Sequence, residues 1–69
     1  MEKVKVPKDV FEGITAVRDS GLTNMMDVPA VARLAQGMGY DEAAQWVRSN
    51  RKSYAEGFFH GFEAVETES

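Results

Sequence analysis

Apolar residues recur at helical spacing along most of this chain. After Lys8, the residues Val10, Phe11, Ile14 and Val17 share one face at about 100° per residue, while Lys8, Glu12 and Asp19 fall opposite. Pro7 suits the first position of a helix, where its missing N–H costs nothing, and Gly21 after Ser20 is a natural left-handed cap. A first helix is predicted near 7–20, with Gly13 as a weak point in its middle. Leu22 to Met26 then read as a connector. Asp27 is a fitting N-cap with Pro29 behind it, and Val31, Leu34, Ala35 and Met38 repeat at helical spacing up to Gly39, which predicts a second helix near 28–38. Asp41 caps a third, with Glu42 favourable to its dipole. Ala43, Val47, Tyr54, Phe58, Phe62 and Val65 form its apolar stripe, and Lys52, Glu56, His60 and Glu63 its polar side. No proline or glycine stands at Ser49-Asn50, so the pattern predicts one long helix over 41–64.

The chain ends offer less pattern. Lys3, Val4, Lys5 and Val6 alternate as a strand would, but a lone strand is unstable, so 1–6 read as a flexible arm. Residues 7–65 read as a single helical domain and 66–69 as a frayed acidic tail. The expected fold class is all-α: a three-helix small domain with a long C-terminal helix, pairing with a second copy.

Composition narrows the picture. Sixty-nine residues make one domain, and a core this small is usually supported by a disulfide, a metal, regular helix packing or oligomerisation. With no cysteine and a single histidine, the first two devices are missing, which favours a dimer. A content of 43% hydrophobic and 28% charged residues is that of an ordinary globular domain. The longest uncharged stretch falls far below the ~20 apolar residues of a membrane span. The N-terminus has no apolar run of the kind a signal peptide carries. A net charge of −3 counts against general nucleic-acid binding.

Candidate chemistry is sparse. His60 lies on the polar face with Glu56 and Glu63 at helical contact spacing, which reads as a solvated histidine and not as a general base. The acidic pairs Asp41-Glu42 and Glu63 with Glu66 do not follow calcium-loop spacing. The expectation is therefore no enzyme activity, no cofactor and no metal. Residues 31–52 have the flavour of a helix-turn-helix, but Asp41 and Glu42 open the would-be recognition helix, where carboxylates repel the phosphate backbone. Arg48, Arg51 and Lys52 supply positive charge later. Arg51 falls on the apolar side of the long helix, so it is expected to be buried against a carboxylate such as Asp19 or Asp27. Gly57 and Gly61, four residues apart, allow close backbone approach by a neighbour and offset ~2 kcal/mol of lost helix propensity only if something packs there. Trp46, Phe58, Phe59 and Phe62 supply aromatic area of the kind enriched at interfaces. The candidate partner or dimer surface is thus Trp46, Arg48, Arg51, Lys52, Gly57, Phe58, Phe59, Gly61 and Phe62.

A run of short segments carries a resemblance. Pro7-Lys8-Asp9-Val10-Phe11-Glu12-Gly13-Ile14, then Ala16-Val17-Arg18-Asp19-Ser20-Gly21, Thr23-Asn24-Met25, Asp27-Val28, Met38-Gly39 and Asn50-Arg51-Lys52-Ser53-Tyr54-Ala55-Glu56-Gly57-Phe58 resemble a family of small uncharacterised proteins from phages, prophages and plasmids of Firmicutes. The resemblance spans roughly residues 7–62. It implies a mobile-element setting in bacterial cytoplasm and carries no catalytic residues. Small acidic proteins in such settings often inhibit host defence or regulate host enzymes, a link by association. The sequence thus reads foremost as a non-enzymatic interaction protein that binds a host or phage protein, and its small size favours a homodimer. A helix-turn-helix-like DNA regulator using residues 31–52 is the second reading. The third is a nucleotide-sequestering helical oligomer holding phosphate with Arg48, Arg51 and Lys52.

Overall fold

The computed structural model describes residues 2–66. They are mostly helical, in the order β1 (Val4–Pro7), α1 (Lys8–Ser20), α2 (Val28–Gly37), α3 (Asp41–Ser49), α4 (Arg51–His60) and β2 (Phe62–Val65). The first two helices lie where the apolar spacing puts them. On α1, Val10, Gly13, Ile14 and Val17 are buried, and the Gly21 amide closes the last turn on the Arg18 carbonyl at 3.3 Å. Asp27 caps α2 by accepting from the Ala30 amide at 3.4 Å, with Pro29 in the first turn. Small side chains then let α2 and α3 pack face to face: Ala32 and Ala35 are buried on one, Ala43 and Ala44 on the other.

Gly13 has a specific role that its low helix propensity hides. A methyl group there would overlap the Ala43 Cβ and stand 2.8 Å from the Tyr40 Cβ. The glycine lets α1 settle directly on the start of α3.

Three expectations are corrected. The long third helix is two helices. Asn50 leaves helical geometry at φ −132°, ψ 51°, its side-chain Nδ2 donates to the Trp46 carbonyl at 3.0 Å, and its own carbonyl accepts from the Tyr54 amide at 2.8 Å. One residue thus finishes α3 and starts α4, using a side chain that competes with the backbone where no glycine or proline marks a break. The break also resets the helical phase. Arg51 becomes the first residue of α4 and is exposed, so the buried ion pair expected of it does not form.

The second correction concerns the chain ends. Val4–Pro7 and Phe62–Val65 form a two-stranded parallel sheet, with Val4 opposite Phe62 and Val6 opposite Ala64. Parallel strands need a long crossover, and here the whole helical set serves as one. Val6 is fully buried in the core, and the Val4 amide donates to the Gly61 carbonyl at 2.9 Å. Residues 4–6 are therefore not an arm. Of the expected acidic tail, 67–69 lie outside the described residues.

The third concerns Gly57 and Gly61. Gly57 faces the Phe62 ring of its own chain, and a methyl there would overlap that ring. Gly61 has φ +98°, a conformation that L side chains rarely adopt, and this turns the chain from α4 into β2. The close approach expected of this pair is made inside the chain.

Candidate functional site

Where α1 and α4 run past each other they make little direct contact, and the space between them is a groove of about 330 Å³. Each wall is one helical face. Phe11, Ile14, Thr15 and Arg18 come from α1, and Tyr54, Gly57 and Phe58 from α4, both sets at the three- and four-residue spacing of side chains that share a face. Phe62 and Met25 complete the lining, and Lys3 enters from beside β1, its stem lying along Gly61.

Tyr54 anchors the groove. Its ring is fully buried, tilted against Phe62 at a centroid distance of 5.7 Å, and its hydroxyl donates to the Met25 carbonyl at 2.5 Å. This bond ties the α1–α2 connector to α4. Trp46 from α3 also meets Phe62, edge-on at 6.2 Å. Phe62 thus packs against two aromatic rings and a glycine.

Burial pushes the Tyr54 hydroxyl up from 10.0 to about 12. The neutral form is the one the fold favours. The stability this group adds is fully present below pH 10, the unfolded value, and is lost as pH rises through about 12. Over that window the wild type should lose up to ~2–3 kcal/mol more than Tyr54→Phe. At neutral pH the substitution itself should cost ~1 kcal/mol for the missing hydrogen bond. Urea melts of both proteins at matched pH values check this. Parallel pH dependence of the two would remove Tyr54 as the cause.

Two aromatic side chains stand outside this packing. Phe58 is 44% exposed and Phe59 is 71% exposed, and their rings meet edge-on at 5.4 Å. Phe58 also lines the groove. Leu22 and Met26 in the α1–α2 connector are also exposed. The Asn24 side chain helps to shape that connector, its Oδ1 accepting from the Met26 amide at 2.8 Å.

The other expected surface residues divide among different places. Gly57, Phe58, Gly61 and Phe62 line the groove, with Phe59 beside it. Trp46 is half-buried behind Phe62. Arg48 donates to the Gln36 Oε1 at 3.2 Å across the α2–α3 pair. Arg51 and Lys52 are exposed at the start of α4. His60 is the last residue of α4, so Glu63 lies on β2 and is no longer its neighbour on a helix. The sequence reading missed Lys3, Phe11, Ile14, Thr15, Arg18 and Met25 as groove residues. A signal was present for four of them: Phe11, Ile14, Thr15 and Arg18 share one face of a single helix. Lys3 gave none, because the strand pairing places it.

The helix pair α2–α3 has a three-residue turn, Met38-Gly39-Tyr40, in which the Tyr40 amide donates to the Ala35 carbonyl at 2.8 Å. Asp41 and Glu42 are both exposed at the front of α3. A DNA phosphate approaching that helix end would meet carboxylates.

Residues 7–61 match the family described as a domain of unknown function, DUF5049, and the chain belongs to that family. No curated protein and no solved structure matches it. Among the described residues, no helix is long and apolar enough to cross a membrane.

Proposed function

We propose that this chain is a non-enzymatic binding protein that grips a protein partner through the face formed by the α1–α4 groove and the adjoining Phe58–Phe59 pair. The observation that carries the reading is this exposed aromatic pair, left in solvent by a fold that buries Tyr54 and packs Phe62 against it. Exposed aromatic area beside a cleft marks interaction surfaces more often than it marks anything else on a small domain. The resemblance to phage, prophage and plasmid proteins of Firmicutes fits the same reading: a host or phage protein as partner, met in the bacterial cytoplasm. A second copy of the chain using this face is the homodimeric form of the proposal. It now rests on Phe58 and Phe59 and no longer on the glycines.

DNA binding through α2 and α3 has the turn in its favour and the exposed Asp41 and Glu42 against it. Nucleotide capture by Arg48, Arg51 and Lys52 draws no support from the groove, which other residues line.

The test compares tagged wild type with a Phe58→Ser, Phe59→Ser variant in capture from host lysate, with circular dichroism as the folding control. The expected result is a partner retained by wild type and reduced at least about tenfold by the variant, as befits loss of an aromatic hot spot. Equal capture by both proteins would contradict the proposal. Sedimentation of the two proteins without lysate shows whether the partner is a second copy.

A further inference from the structure

The charges around the groove are segregated, and they define a partner. Among the described residues, the groove between α1 and α4 is lined by two cations, Lys3 and Arg18, and by no carboxylate. The neighbouring hollows differ. One between α1 and β2 carries Glu12 and Glu66 beside Lys8, and one beyond α1 carries Glu12 and Asp19. In a chain of net charge −3, the charged side chains that line this apolar hollow are thus both positive. Asp19 reaches the Arg18 Nε at 3.7 Å, but both side chains are about two-thirds exposed, and a surface pair of this kind contributes little.

We infer that the groove receives an acidic peptide segment of the partner, with one large apolar side chain inserted between Phe11, Met25, Phe58 and Phe62 and flanking carboxylates set against Lys3 and Arg18. This inference rests on the protein-binding reading above and adds the chemistry of the partner. The lining is mostly apolar, with Phe11, Met25, Phe58 and Phe62 among its partly exposed members, which suits an aromatic or long aliphatic anchor and offers little to a polar one. The Tyr54 hydroxyl is already committed to the Met25 carbonyl, so it does not compete for the guest. Phe58 borders the hollow and its ring meets the exposed Phe59 edge-on at 5.4 Å, so a segment seated with its anchor in the hollow can rest on that pair. Carboxylates at the rim gain orientation and a faster approach from the two cations.

The experiment is a heteronuclear NMR titration with the synthetic peptide acetyl-Glu-Asp-Trp-Glu-Asp-amide. Two control peptides accompany it, one with every acid replaced by lysine and one with the tryptophan replaced by alanine. The acidic tryptophan peptide should give saturable shifts at Thr15, Arg18, Met25, Gly57 and Phe58, weakened several-fold by added salt. Both controls should bind at least about tenfold more weakly. A Lys3→Glu, Arg18→Glu variant should lose at least about tenfold in affinity for the acidic peptide, and Lys3→Gln, Arg18→Gln, the gentler pair, should lose less. Both cations are exposed, so amide dispersion should be kept. Equal binding of the lysine peptide, undiminished affinity in both variants, or no saturable shift at millimolar peptide would each overturn the inference. Lysate capture separates it from the broader reading. Capture that survives the charge variants but fails with Phe58→Ser, Phe59→Ser would remove the acidic-segment inference and leave protein binding standing.

Discussion

Gly13→Ala should destabilise the protein by about 2 kcal/mol, against the direction that helix propensity alone predicts. In an isolated helix the change gains ~1 kcal/mol. Here the new methyl overlaps the Ala43 Cβ and crowds the Tyr40 Cβ. Those atoms are bonded to the backbone and cannot swing aside, so relief requires α1 to move off α3. Overpacking of this kind typically costs about 1–3 kcal/mol, sometimes more, and rigid neighbours place it at the upper end. The melting temperature should fall by roughly 10 °C in a domain of this size. Gly37→Ala is the matching control. It lies in α2 with nothing within 4 Å of the added methyl, so it should leave stability equal or raise it by up to ~1 kcal/mol. Thermal melts of both variants decide the point. A Gly13→Ala protein as stable as wild type would mean that α1 and α3 are not in close contact.

Removing residues 2–6 should cost about 3 kcal/mol or more, although those residues look dispensable in the sequence. The deletion takes away the buried Val6 side chain, part of Val4, and the strand on which β2 pairs. Burying one valine contributes about 1.5–3 kcal/mol, and the lost ladder leaves β2 unpartnered. For a domain whose whole stability is of order 5 kcal/mol, much of the folded population would be lost at raised temperature. The milder Val6→Ala should cost ~1.5 kcal/mol for two methyl-sized groups. Urea denaturation of the three proteins measures both effects. Coincident unfolding curves for the truncated and full chains would restore residues 2–6 to the status of an arm.

These two results mark where the sequence was legible. The buried faces of α1 and α2 could be read because a helix repeats its pattern locally, and Gly21, Asp27 and Pro29 punctuate the ends. The sheet could not be read in the same way. Its strands are four residues each and come from opposite ends of the chain, so neither carries enough alternation to announce a partner. The break at Asn50 was hidden for a different reason: an amide side chain joins its own backbone N–H on the Trp46 carbonyl and closes the helix there, and asparagine also occurs within helices. Gly13 and Gly57 illustrate a third limit. Composition shows that a glycine weakens a helix, but only the neighbours, Ala43 in one case and Phe62 in the other, show what the missing methyl allows.

The candidate site divides along the same line. Phe58 and Phe59 were visible as aromatic area of the kind enriched at interfaces, and they are exposed. Phe62 was assigned to the same helix face and instead lies on β2 beneath Gly57, because Gly61 ends the helix one residue earlier. Arg51 was placed on an apolar side that exists only if the helix is continuous. Arg18 was present on the groove face of α1 all along, but its meaning depends on Lys3, which arrives only through the strand pair.

Hydrogen exchange on the complex with a captured partner tests most directly whether the α1–α4 face is the working surface. The account predicts added protection in 54–62, in 11–18 and at the connector around Met25, with little change in 28–49. Added protection confined to 28–49, with 54–62 exchanging as in the free protein, would contradict it and move the binding surface to α2 and α3.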